Sequence, residues 1–205
     1  MLCKFKRPKA KSLSENGFRV AVFNPRGFRI PQISSNLIDF SKVHNDFDFV
    51  VKHIEKKYPE NSKYMVGFSL GASYGMQYLS RYKEKSSIKG MVSVGNPFNV
   101  YEAFLFLDKP FNRIYGHFIT NKLKKIVNFN KDAINANVSQ KNIDFKFEDL
   151  DNINNIFDFN KLFTFKFLNQ TDSQVYLNSL SCFEEISNVD IPTLIINSKN
   201  DPIAK

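Results

Sequence analysis

The residues of this chain most capable of chemistry are Gly67-Phe68-Ser69-Leu70-Gly71. A Gly-x-Ser-x-Gly pattern arises by chance in roughly one chain in fifteen of this length, so the pattern alone says little. Its setting says more. Lys63 to Phe68 reads as a short apolar strand and Leu70 to Tyr82 as a helix, so Ser69 falls on a strand-to-helix turn. A serine on so tight a turn presents its hydroxyl above the sheet, and glycines on either side leave room that a Cβ would fill. The helix that follows turns its N-terminal N–H groups and positive dipole end towards the hydroxyl. The Leu70 N–H is then a candidate oxyanion donor, and such a donor typically lowers a barrier by about 3 to 4 kcal/mol. The chemistry implied is acyl transfer through a serine nucleophile. The competing reading is a serine that merely caps its helix.

A nucleophilic serine on such a turn takes its acid from a later strand and its histidine later still. Asp201, just after the apolar run Thr193 to Asn197, is the candidate acid, against the plainer reading of an Asp-Pro turn. A histidine in the third place is missing: His44, His53 and His117 all precede Asp201. His44 and His53 are expected on the exposed side of the helix before the turn, and His117 in the segment beyond the third strand. Without a base, a serine hydroxyl is a poor nucleophile at neutral pH.

The elements that must hold these residues alternate. Phe18 to Asn24 reads as a strand, Leu37 to Tyr58 as an amphipathic helix closed by Pro59, then come Lys63–Phe68, Leu70–Tyr82 and a strand at Ile88 to Val94. Strand, helix, strand at this spacing makes βαβ units, and the fold class is α/β with a parallel sheet flanked by helices. From Asn99 to about Leu168 the alternation stops, with helical pieces expected at Tyr101–Leu107 and Tyr115–Ile126. A short helix is expected at Ser173–Leu180 before the strand pattern resumes at Thr193. No internal repeat and no linker divides the chain.

Composition bounds the partners. The chain has 205 residues, 22 of them Phe and none Trp, and a net charge of +9. Five basic residues and no acidic one occupy the first eleven positions, so residues 1–16 read as a basic arm able to touch phospholipid headgroups, or simply a solvated terminus. Nucleic acid has no further support, since zinc-finger spacing and RNP-type aromatic motifs are missing. Cys3 and Cys182 form neither a disulfide framework nor a metal-ligand spacing. No apolar run approaches the roughly 18 residues of a transmembrane helix, and no secretory leader is recognisable. The chain as given is expected to be cytoplasmic.

Several segments together resemble α/β-hydrolase family 4, which holds short-chain carboxylesterases, phospholipases and monoacylglycerol-directed lipases. They are FNPRGF at 23–28, the helix ending YPE at 58–60, VGFSLGASYGMQYL at 66–79, VSVGNPFN at 92–99 and the closing PTLIINSKNDP. The resemblance runs from Gly17 to Pro202 and implies Ser69 as nucleophile, Asp201 as acid and no cofactor or metal. It implies a helical cap inserted at about 99–187, within a partial hydrolase domain at 17–205. It also implies a His-Gly oxyanion loop upstream of Phe18 and a histidine downstream of Asp201. Neither has a counterpart here, so the expectation is a chain truncated at both ends and inactive alone, in a family whose full-length eukaryotic members can carry a membrane anchor.

The implied substrates are lipid-like carboxylic esters, and the alternative is a non-catalytic lipid-binding or interaction remnant of the fold. Residues 98–167 hold 13 of the 22 phenylalanines, which either wall an acyl pocket or pack the insert.

Overall fold

The computed structural model describes residues 6–27 and 39–204. Cys3, Phe28 and Leu37, which entered the sequence reading, lie outside them. Three strands form one parallel sheet in the order β1 (Lys63–Phe68), β2 (Ile88–Val94) and β3 (Thr193–Ile196). Val66 pairs with Val92, and Val92 with Leu194. The expected bounds of β1, of β2 and of the intervening helix α3 (Leu70–Tyr82) coincide with those observed.

Alternation sorts the sheet into two unlike faces. Met65 and Met91 share one face, and Gly75 of α3 seats against them so closely that an added Cβ would lie 2.6 Å from Met65 Sδ. The amphipathic helix α2 (Val43–Lys57) packs beside α3, with Val51, Met65, Met76 and Met91 in one core. On the opposite face Tyr64, Val66, Leu194 and Ile196 are all exposed. A parallel sheet is ordinarily covered on both sides. Here one side is packed and the other is open, and β1 and β3 are both edge strands among the described residues.

Two expectations need correction. Residues 18–24 are not a strand, because no described strand lies beside them to exchange backbone hydrogen bonds; the apolar run is local, but pairing is not. The basic arm is helical over Lys6–Glu15 (α1), and Lys9 reaches over the Phe68 ring at 5.0 Å.

Between β2 and β3 the chain is helical: α4 (Val100–Leu107), α5 (Arg113–Phe129), α6 (Lys131–Lys141), α7 (Ile156–Phe159), α8 (Phe165–Leu168) and α9 (Ser173–Asn178). A π-helical stretch at Asn160–Thr164 joins α7 to α8. Four of the phenylalanines, Phe145, Phe159, Phe163 and Phe167, are buried against one another in the centre of this segment. Phe145 meets Phe163 edge-on at 5.5 Å and Phe167 at 5.2 Å, so these rings are packing groups.

The segment is fastened to the sheet layer through α3, whose buried Ser73 Oγ donates to Leu180 O at 2.6 Å. Gln77 Nε2 donates to Ser179 O at 2.9 Å and to Ser181 O at 2.5 Å. A helix that must bury its whole circumference carries polar side chains inside only where carbonyls await them.

Candidate active site

Ser69 stands between the last residue of β1 and the first of α3 with φ 53° and ψ −133°. Such a backbone is costly for any residue with a Cβ, by about 1–3 kcal/mol, and is held here from both sides. The Ser69 N–H donates to Val94 O at 2.8 Å, and its carbonyl accepts from Ala72 N at 2.8 Å. The side chain makes no capping hydrogen bond and is exposed, which removes the reading of Ser69 as an ordinary helix cap. Leu70 follows as the first residue of α3, where an N–H has no carbonyl a turn before it. Among the described residues neither hydroxyl nor amide has a hydrogen-bond partner, and they stand side by side at the positive end of a helix.

The two glycines of the motif are not equivalent. A Cβ on Gly67 would lie 2.5 Å from Ala72 Cα and 2.9 Å from Gly71 O, so the turn closes only over a bare α-carbon. Around Gly71 nothing lies within 4 Å of such a Cβ. The expectation that both glycines make room holds for Gly67 and fails for Gly71, which sits on the exposed side of the first helical turn.

Asp201 lies in the loop after β3, half-buried. Its Oδ1 accepts from Ile203 N at 2.8 Å and Ala204 N at 2.9 Å, which fixes the carboxylate plane. Its Oδ2 faces the loop after β2, 3.9 Å from where a Gly95 Cβ would be, and accepts no hydrogen bond among the described residues. Ser69 and Asp201 therefore both follow the C-terminal ends of parallel strands, β1 and β3, with β2 between them. Those two strands lie two spacings, about 10 Å, apart.

The sequence reading missed the latch that holds this loop. Asn197 Oδ1 accepts from the Asn96 N–H at 3.1 Å, and Asn197 Nδ2 donates to Asn96 O at 2.9 Å. Gly95 N donates to Ile196 O at 2.9 Å. The Asn197 amide so extends the β2–β3 ladder by one step and carries the Asp201 loop towards Gly95, whose φ of 57° turns the β2 loop to meet it. Gly95-Asn96 directly after an apolar run was the available signal.

No described histidine stands between serine and acid. His44 is half-buried, not exposed as expected, because it packs on Arg81, whose Nη1 lies 2.7 Å from Nε2. Burial lowers its pKa below the usual value, and the Arg81 charge lowers it further. Arg81 lies in the last turn of α3, about 18 Å along the helix from Ser69 at 1.5 Å per residue, and His44 makes its ring contact there. His53 and His117 are exposed on α2 and α5. Among the described residues no group of three His, Cys, Asp or Glu side chains is placed to hold a metal. Cys182 is buried beside Asn96, and that burial raises its pKa, which suits an inert thiol.

Comparison with known proteins gives the chain a family. A family model described as alpha/beta hydrolase fold matches residues 6–205. The chain is 28% identical over 188 residues to a monoacylglycerol lipase of Saccharomyces cerevisiae, covering 91% of this chain and 41% of that protein. It is 26% identical to Monoacylglycerol lipase ABHD2 of Danio rerio, over 92% of this chain and 44% of the relative. It is 24% identical to Phospholipase ABHD3 of Bos taurus, over 91% and 44%. The chain thus spans less than half the length of each of these curated relatives. No solved structure matches it significantly.

Proposed function

Because the chain belongs to the alpha/beta hydrolase fold family, we propose that the protein cleaves carboxylic esters of lipid-like substrates through an acyl-enzyme on Ser69. The observation that carries this reading is the uncapped Ser69 hydroxyl, held at φ 53° beside the free Leu70 N–H. Relatives named monoacylglycerol lipase and phospholipase point to lipid esters as the substrate class.

Ser69 Oγ attacks the ester carbonyl, and the Leu70 N–H donates to the oxygen as it gains charge. A base takes the Ser69 proton and returns it to the leaving alcohol, and water releases the acid from the serine. Asp201 Oδ2, the carboxylate oxygen left without a hydrogen bond, orients that base. The insert between β2 and β3 acts as a cap over Ser69.

The base is the part that no described histidine supplies, so the 205-residue chain should turn over esters at background rate. Exogenous imidazole tests the rest of the machinery. A fatty-acyl ester should be hydrolysed above the imidazole-only background by the chain and not by Ser69→Ala. Equal imidazole-dependent rates for the two proteins would refute Ser69 as nucleophile.

The placement of His44, His53 and His117 favours a second reading, a lipid-binding module that kept the fold and not the catalysis. Lipid binding unchanged by Ser69→Ala, with no imidazole-dependent turnover, would select it.

A further inference from the structure

Helix α5, 17 residues long, contains one arginine, three lysines and no acidic residue. Its inner side faces the insert through Thr120 and Val127, both buried, and packs on α4 and α7. The outward side of such a helix is ordinarily polar. Here Ile114, Phe118 and Phe129 fall on it at steps of four and eleven and are 74%, 57% and 52% exposed. Phe111, in the turn leading into the helix, is 95% exposed. Lys122 and Lys125 lie on the same stripe, exposed, and Lys122 Nζ sits 4.3 Å over the Phe118 ring.

Single exposed apolar side chains need no explanation, but a row of them on one helix, rimmed by charge of one sign, marks a contact surface. We propose that the outer face of α5 lies on a lipid surface bearing anionic headgroups. Ile114, Phe118 and Phe129 enter the boundary between headgroup and acyl chain, and Lys122 and Lys125 reach back to the phosphates. Charge complementarity selects this occupant: a helix without a single carboxylate, in a chain of net charge +9, offers only positive side-chain charge of its own to an anionic surface. The surface works independently of Ser69, so it stands or falls apart from the esterase reading.

The test is cosedimentation of the full chain with phosphatidylcholine vesicles, with and without phosphatidylserine. The chain should bind the anionic vesicles at least about tenfold more strongly, and raised salt should remove most of the difference. Ile114→Ser with Phe118→Ser should lower anionic-vesicle binding by at least about tenfold, while circular dichroism and the melting midpoint stay as in the parent. Lys122→Glu with Lys125→Glu should abolish the preference for anionic vesicles. Ser69→Ala should bind like the parent.

The open sheet face is the competing surface, and Val66→Ser with Leu194→Ser tests it. Loss of binding in that variant, with binding intact in the α5 variants, would overturn the proposal. So would no binding to either vesicle, equal binding to both, or binding to polyglutamate in place of vesicles, which would assign the stripe to an acidic protein.

Discussion

Adding one methyl group at each of two glycines four residues apart should have opposite effects. In Gly67→Ala the new Cβ would lie 2.5 Å from Ala72 Cα and 2.9 Å from Ala72 N, where carbon contacts ordinarily settle at about 3.5–4 Å. The obstacle is backbone, and it is tethered: Ala72 N donates to Ser69 O, and Ser69 N donates to Val94 O. The elbow must therefore open by about 1 Å, moving α3 away from β1 and stretching two short hydrogen bonds. Overpacking that side chains can absorb costs about 1–3 kcal/mol, and a site walled by backbone belongs at the upper end, near ~3 kcal/mol. Gly71→Ala adds the same methyl group where nothing lies within 4 Å, in the first turn of a helix. There alanine should stabilise by up to about 0.5–1 kcal/mol. Urea unfolding followed by circular dichroism resolves the difference, since a slope of about 2 kcal/mol/M turns ~3 kcal/mol into a midpoint shift of about 1.5 M. Midpoints of the two variants within about 0.2 M of each other would refute the argument that the motif's glycines have separate reasons.

Further outcomes follow from the same geometry. Ser69→Gly should raise stability by about 1 kcal/mol in urea titrations, because glycine adopts the backbone at φ 53° without the Cβ penalty. Ser69→Ala should be nearly neutral, since the hydroxyl makes no capping bond; a stabilised Ala variant would show that strain is not the cause. Asn197→Ala strips the buried Asn96 of the partner for its N–H and leaves its C=O only the Phe98 N–H, and should cost about 2 kcal/mol in the same assay; a cost below about 0.5 kcal/mol would refute the latch. His44 resists protonation when folded, whereas the unfolded chain accepts the proton near its ordinary value of 6.5. The His44 contribution to stability should thus be constant above that value and be lost on acidification through and below it, and His44→Gln should flatten the slope in midpoints measured across that range.

The centre of the fold was legible because local signals and tertiary demands coincide there. Met65 and Gly67 alternate with exposed neighbours in β1, Ser69 interrupts the strand, and Gly75 in α3 allows the close approach to Met65 and Met91. Residues 18–24 look like a strand by the same local criteria, but a strand exists only where a neighbour accepts its hydrogen bonds. Gly71 was misread because a motif records that glycine is usual and not why. Helix α6 escaped notice because only Ile134 is buried along it, too few apolar positions to mark a face. The Asn96–Asn197 latch joins residues about a hundred positions apart, and no window along the chain brings them together.

The insertion of the whole helical segment between β2 and β3 also sets an order of assembly. β1 and β2 pair across about two dozen residues, whereas β2 and β3 must close a loop of about a hundred. Two doublings of loop length add about 1.2 kcal/mol to the entropy of closure, a sum recovered only once the insert has collapsed and shortened the effective tether. The nucleophile is thus built early, within a local strand-helix-strand unit, and the acid arrives late, delivered by a strand of four residues. The two halves of the candidate site belong to separate cooperative units, seamed by Ser73, Gln77 and Asn197, and backbone amides of β3 should exchange with solvent sooner than those of β1.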